Sequence, residues 1–164
     1  MTAWTVVASP VDDLLLTTDG HALTGLYFSP HKGIAASARV TTDTRDDAHP
    51  VLRATSTQLS EYFAGERRVF DLPLAPKGTA FQQQVWAALR EIVWGRTRGY
   101  GDIATRLGLP LAASRAVGLA NGSNPISIVV PCHRVIGADG SLTGFGGGIE
   151  RKRFLLDLEA DLLF

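Results

Sequence analysis

The sequence predicts an α+β protein made of two small domains, and three observations point there. Short apolar runs separated by turn residues fill the start of the chain, helical periodicity fills most of the remainder, and the sign of the charge changes near Pro76. Residues 1–75 carry a net charge of −3 and residues 76–164 a net charge of +3. Ala75-Pro76-Lys77-Gly78 lies at that change and reads as a linker, so the expected domains are 1–75 and 76–164. A chain of 164 residues suffices for two such units.

In the first domain, Trp4–Ser9, Leu14–Thr18 and Leu23–Phe28 read as three strands. Pro10 to Asp13 forms the first turn. Asp19-Gly20 is a hairpin signal, because both residue types tolerate positive φ. Residues 29–50 are polar and irregular, with Asp43, Asp46 and Asp47 close together. Val51, Leu52, Thr55, Leu59, Tyr62 and Phe63 then recur at helical spacing, and Gly65 stops the helix. Val69–Leu74 reads as one more strand.

The second domain opens with a capping box, Thr79 and Gln82. The helix it starts carries Phe81, Val85, Trp86, Leu89, Ile92 and Val93 on one face and is expected to run to Gly95. A short helix follows from Tyr100 to Leu107, capped by Gly108. Pro110 suits the first turn of the next helix, which runs to about Ala120. Two helices joined by a short glycine-containing turn form the helix-turn-helix pattern. Spacing alone does not separate a DNA-binding pair from ordinary helix packing. In the second helix, small residues surround Arg115, so the backbone can approach another surface closely while one cation projects beyond it. Thr143-Gly144-Phe145-Gly146-Gly147-Gly148 is a glycine-rich loop that lacks the lysine of a P-loop. The last helix, Glu150 to Leu163, is expected to pack through Phe154, Leu155, Leu158 and Leu162, with Glu159 beside that stripe.

Cys132 is the one cysteine of the chain, so no intrachain disulfide forms. It is either a small core residue or a nucleophile. His133 follows it directly, and imidazole is the side chain best suited to accept a thiol proton near neutral pH. In an extended segment, neighbouring side chains point to opposite sides. A Cys–His contact therefore needs either a turn at Pro131 or a bridging water. The histidine also needs an orienting carboxylate, and Glu159 qualifies only if the last helix folds back over the segment. Metal binding is poorly supported, because His21, His31, His49 and His133 are scattered and the thiol has no CxxC partner. No cofactor is expected. No run is long and apolar enough to span a bilayer, and Met1 to Phe28 show no leader pattern. With a single cysteine, this makes the cytoplasm the expected location.

The residues around Cys132 carry more. Gly122, Asn124-Pro125, Ile128-Val129-Val130, Pro131-Cys132-His133-Arg134-Val135-Ile136 and Gly144-Phe145-Gly146-Gly147-Gly148 closely resemble the O6-alkylguanine-DNA alkyltransferases. So do Arg98-Gly99-Tyr100-Gly101-Asp102-Ile103-Ala104 and Ser114-Arg115-Ala116-Val117-Gly118. The resemblance covers residues 77–159. The first 75 residues match in layout only, as a ribonuclease-H-like sheet-and-helix domain.

This resemblance implies a single-use DNA repair transferase acting on double-stranded DNA that contains O6-alkylguanine, with O4-alkylthymine as a further candidate substrate. Its helix-turn-helix would sit in the minor groove through Ser114, Arg115 and Ala116. Arg115 would fill the space left by a flipped base, and Tyr100 would aid the rotation. Cys132 would accept the alkyl group, His133 would take the thiol proton, Glu159 would orient the imidazole, and Asn124 would brace the turn. The Val135 carbonyl and the Gly146 N–H would face the guanine, and Phe145 would wall the pocket. No obligate protein partner is implied, and cooperative packing of several copies on DNA is compatible with it. The zinc site of some relatives would be absent, since the first domain has no cysteine. A lesion-binding module without chemistry and a methylation-sensing regulator are the competing readings.

Overall fold

The structure is a computed structural model that describes residues 3–29, 44–142 and 148–161. It divides into two compact units, Met1–Pro76 and Lys77–Phe164. No helix among the described residues is long and apolar enough to cross a membrane.

The first unit is built on a four-stranded sheet of order β3-β2-β1-β4. β1 (Ala3–Val7), β2 (Leu14–Thr18) and β3 (Leu23–Phe28) form the expected antiparallel meander. β2 is central and buried along its whole length. The Asp19-Gly20 turn works differently from the expectation. Gly20 alone has positive φ, at 101°, whereas Asp19 caps the turn with its carboxylate, accepting the N–H groups of His21 and Ala22 at 2.9 Å each. β4 (Thr44–Arg45) was not expected. It lies parallel to β1 over two residues, too short to show an alternating pattern.

α1 (Pro50–Phe63) packs Leu52, Thr55, Leu59 and Tyr62 inward, a stripe at helical period. His49 caps it through Nδ1, which accepts the Val51 N–H at 3.2 Å, and Pro50 opens the first turn. Gly65 ends the helix in the left-handed region at φ 80°. The Glu66 N–H returns to the Glu61 carbonyl at 2.8 Å, closing the last turn. The strand expected over Val69–Leu74 does not form. Only an isolated bridge joins Leu74 to Leu23, because Pro73 has no N–H to extend a ladder.

In the second unit, α2 (Ala80–Leu89) starts at the expected capping box. The Thr79 N–H donates to Gln82 Oε1 at 2.8 Å, and the Gln82 N–H donates to Thr79 Oγ1 at 3.1 Å. The helix stops at Leu89, short of Gly95. Ile92 remains buried, but Val93 is 63% exposed. β5 (Arg98–Gly99) leads straight into α3 (Tyr100–Arg106). Pro110 is extended and precedes a single 3₁₀ turn, Leu111–Ala113, so α4 (Ser114–Gly122) starts later and ends later than the periodicity suggested. β6 (Val135–Ile136) pairs in parallel with β5, also unexpected. α5 (Ile149–Asp161) closes the unit. Leu155 is fully buried on it and Phe154 is 39% exposed, so the packing stripe is narrower than expected. Leu162 and the 143–147 stretch, with Phe145 and Gly146, lie outside the described residues.

Val85, Trp86, Leu89, Ile103, Ala104, Val117, Ala120 and Leu155 are buried in this unit. Each large apolar side chain among them contributes about 1.5–3 kcal/mol of transfer free energy. The Trp86 indole N–H also donates to the Ala120 carbonyl at 2.8 Å, pinning the end of α4 to α2.

Candidate active site

The segment from Asn124 to Arg134 is a chain of tight turns, not a strand. Asn124 organises it. Its Oδ1 accepts the Ile126 N–H at 3.0 Å, and its Nδ2 donates to the carbonyls of Val130 at 2.8 Å and Ile126 at 3.3 Å. The Val129 N–H closes on the Ser127 carbonyl at 2.8 Å around Ile128, whose φ is 70°. That is a γ-turn of the rarer, strained hand, occupied by a β-branched residue. The Cys132 N–H then closes on the Val130 carbonyl at 2.8 Å around Pro131, at φ −81° and ψ 65°. A 3₁₀ turn, Cys132–Arg134, follows. The turn at Pro131 is therefore present, yet His133 Nδ1 makes no hydrogen bond to any described residue, the thiol included.

Cys132 is 4% exposed and His133 is fully buried. Burial pushes the Cys132 thiol upward, against hydrogen bonds from Asn124 and Ser127 and the charge of Lys152. The imidazole meets α5 in the way the last helix had to fold back to allow. His133 Nε2 lies 2.7 Å from Glu159 Oε2. Glu159 is 1% exposed, contrary to the usual solvated helical glutamate.

A residue that the sequence reading left without a role completes the pair. The Arg134 guanidinium donates to both Glu159 oxygens, Nε to Oε1 at 2.8 Å and Nη2 to Oε2 at 3.0 Å, and Nη1 donates to the Ile92 carbonyl at 2.6 Å. Burial opposes ionisation of Glu159, yet the hydrogen bonds and charges of His133 and Arg134 outweigh it and hold the carboxyl at about 2. Burial lowers His133, and the neighbouring Arg134 and Lys152 charges add to that against Glu159. The imidazole is thus neutral at neutral pH. Nε2–H donates to the carboxylate, which leaves Nδ1 as the basic nitrogen. That atom is buried and has no hydrogen-bond partner among the described residues.

Lys152 is the second residue that the sequence reading missed. It is fully buried, and its Nζ donates to the Val135 carbonyl at 2.5 Å. Burial lowers it, and Cys132 raises it. Lys152 and Glu159 are seven residues apart on α5, two turns, and so share one face. That spacing was the available signal. Asn121 was also missed. It lies in the last turn of α4, with Nδ2 3.4 Å from the Cys132 carbonyl.

The expected DNA-contacting residues lie on α3 and α4. Tyr100 is half-buried at the start of α3, where the Asp102 carboxylate accepts the Gly99 N–H at 2.7 Å. Its ring passes Gly118 of α4 so closely that a methyl there would lie 3.7 Å away. Ser114 is half-buried, and Arg115 and Ala116 are exposed on the outer face of α4. Arg98, Tyr100, Ser114, Ile136 and Gly137 help line an open cleft of about 680 Å³.

Known proteins match both halves. Residues 2–76 match the model for the ribonuclease-like domain of 6-O-methylguanine DNA methyltransferase, and residues 80–161 match the model for its DNA binding domain. The chain belongs to the 6-O-methylguanine DNA methyltransferase family. A Methanosarcina acetivorans relative is 48% identical over 156 residues, 95% of this chain and 97% of its own length. A Mycobacterium bovis relative is 49% identical over 159 residues, 97% of this chain and 93% of its own length. Both are named methylated-DNA–protein-cysteine methyltransferase, and this chain is an enzyme of that family. The crystal structure of Mycobacterium tuberculosis O6-methylguanine methyltransferase superposes with a TM-score of 0.88 at 48% identity, covering 98% of this chain and 94% of that one. The Mycobacterium tuberculosis protein in complex with DNA gives 0.87 at 49% identity, covering 97% and 93%. As a family member, the chain combines a sheet-based first domain with a helical DNA-binding second domain.

Proposed function

We propose that this protein repairs alkylated duplex DNA by moving the alkyl group from O6 of guanine onto its own Cys132, once per molecule. The observation that carries this reading is the buried Cys132–His133–Glu159 arrangement, with the basic Nδ1 of His133 left without a partner among the described residues.

The lesion lies within the base stack, so the nucleotide is rotated out of the duplex before it reacts. The outer face of α4, with Ser114, Arg115 and Ala116, enters the minor groove, and Arg115 fills the gap. Tyr100 steers the rotation and stabilises charge on the departing ring. In the pocket, the Val135 carbonyl accepts from the guanine amine. It already accepts from Lys152 Nζ, and its second lone pair serves the base. Gly146 and Phe145, outside the described residues, are assigned to the O6 contact and the pocket wall by the family resemblance alone.

His133 Nδ1 takes the thiol proton through a water. The resulting imidazolium is compensated by Glu159, which Arg134 keeps ionised. The Cys132 sulfur then displaces the alkyl carbon. An S–C bond forms, the O6–C bond breaks, and the guanine recovers a proton. Asn124 holds the turn through all of this. The raised thiol and lowered imidazole favour a neutral resting pair, so the thiolate is made at the time of reaction. The same pocket is proposed for O4-alkylthymine, whose alkylated oxygen is presented similarly.

Intact mass spectrometry after mixing with O6-methylguanine duplex tests this. The expected result is a gain of one methylene mass on the peptide bearing Cys132, lost in Cys132→Ala, which still binds DNA. Binding without any mass gain refutes the transfer reading.

A further inference from the structure

We infer that Leu119 is a specificity-determining residue, which touches the floor of the minor groove about two base pairs from the lesion and disfavours a G·C pair there. This rests on the function proposed above, in which α4 enters that groove.

α4 divides around its axis. Val117, Ala120 and Asn121 are buried, whereas Arg115, Ala116, Leu119 and Gly122 are exposed. At about 100° per residue, Arg115, Leu119 and Gly122 fall within about 60° of one another, on the ridge opposite the buried side. Leu119 is 73% exposed, and Ala116, Gly118 and Gly122 around it are small. Among the described residues of this face, Arg115 and Leu119 are the two long side chains. Leu111, also exposed, lies before α4 and lines the open cleft instead. A lone exposed leucine is ordinary on a protein surface. This one differs by its company. It stands one helical turn from Arg115, within the stretch 80–161 that matches a DNA binding domain. Its apolar surface gains free energy only when that face is covered.

The dimensions of the groove decide what Leu119 reaches. A helix with its side chains is about 10–12 Å across, and the minor groove is about 6 Å wide. The backbone of α4 therefore rests on the groove edges, and only projecting side chains reach the floor. The small residues let the backbone come close, and Arg115 and Leu119 project. Four residues rise about 6 Å along a helix, and base pairs are about 3.4 Å apart. With α4 running along the groove, Leu119 meets the floor about two pairs from where Arg115 enters the stack.

The floor there differs between base pairs by one group. A·T and G·C both present acceptors, and G·C adds the guanine N2 amine, which projects as a donor. A leucine methyl laid over that amine displaces its water and returns no hydrogen bond. Both pairs lose the hydration of their acceptors, so the amine makes the difference.

The test measures alkyl transfer to Cys132 from O6-methylguanine duplexes at DNA concentrations far below saturation. The second pair on each side of the lesion is A·T, G·C or I·C in turn. Inosine is guanine without the exocyclic amine, so I·C has the major-groove face of G·C and the minor-groove face of A·T. The expected result is that wild type reacts about tenfold faster with A·T or I·C than with G·C, on one side of the lesion only. Leu119→Ala should bring that ratio to within about twofold of unity, with its melting temperature unchanged because the side chain is exposed. Equal rates on all three duplexes in wild type, I·C behaving like G·C, or an undiminished ratio in Leu119→Ala overturns the inference. Absence of transfer in wild type defeats the proposed function. Transfer in wild type without any preference among the duplexes defeats only the role of Leu119.

Discussion

Glu159→Gln removes the charge that joins His133 to Arg134, and its cost follows from the site. The carboxyl falls from a usual value of 4.5 to about 2 in the folded protein. At about 1.4 kcal/mol per tenfold change, this corresponds to roughly 3 kcal/mol in favour of the ionised form. The group is 1% exposed, so solvent screening takes little from that figure. Breaking a buried pair on one side costs a similar amount, about 3–5 kcal/mol, because the Arg134 guanidinium is left uncompensated. The folded-state value is depressed, so the stabilisation is complete above pH 4.5 and disappears as pH falls through 2. Urea unfolding followed by Trp86 and Trp94 fluorescence, in a Trp4→Phe background, measures it. The variant should be about 3 kcal/mol less stable than its parent at pH 7, and the gap should shrink below half that at pH 3. A gap under about 1 kcal/mol at pH 7, or one equal at both pH values, would refute the assignment of an ionised Glu159. The same variant should transfer alkyl groups about 10²-fold more slowly at neutral pH, since imidazolium formation loses its counter-charge.

Three further outcomes are expected. Arg115→Ala should slow repair in duplex DNA while leaving reaction with free alkylguanine base and the urea midpoint unchanged, because the side chain is exposed on α4; equal slowing on both substrates argues against a finger. Methylated Cys132 should lower the melting temperature by several degrees, because an added methyl at a site 4% exposed overpacks it by about 1–3 kcal/mol; an unchanged melting curve would show that the turn has room to spare. Thr79→Ala should cost about 1 kcal/mol through loss of the α2 cap, read by denaturant midpoint, with alkyl transfer intact.

What the sequence made legible was local. The Thr79–Gln82 box, the α1 stripe and the β1–β3 meander are written in neighbouring residues and form, with β1 ending at Val7 and Val51 and Phe63 of the stripe only half-buried. The two-residue strands β4, β5 and β6 are too short to leave a period and exist only through distant partners. Helix ends moved at Leu89, and at Pro110, where a 3₁₀ turn precedes α4. At the site, Cys132, His133, Glu159 and Asn124 came from motif and resemblance. Arg134 stood in the motif without a role, and Lys152 and Asn121 were silent. Their partners are backbone carbonyls and a carboxylate far along the chain, and the seven-residue spacing of Lys152 and Glu159 places both on one face without naming those partners. Burial of Glu159 became visible only once Arg134 was seen beside it.

The β5–β6 pair has a consequence for how this chain tolerates insertions and deletions. Two rungs, Arg98 with Val135 and Gly99 with Ile136, fix the start of α3 against the exit of the cysteine turn. The span from Tyr100 to Cys132 is therefore set by a ladder and not by the length of chain between them. Residues added at the Gly108 bend lengthen a surface excursion and leave that span intact. One residue added between Gly99 and Tyr100 swings the tyrosine about 100° around the helix axis and out of line. Length is free to drift at the first place and frozen at the second, although the two are fewer than ten residues apart.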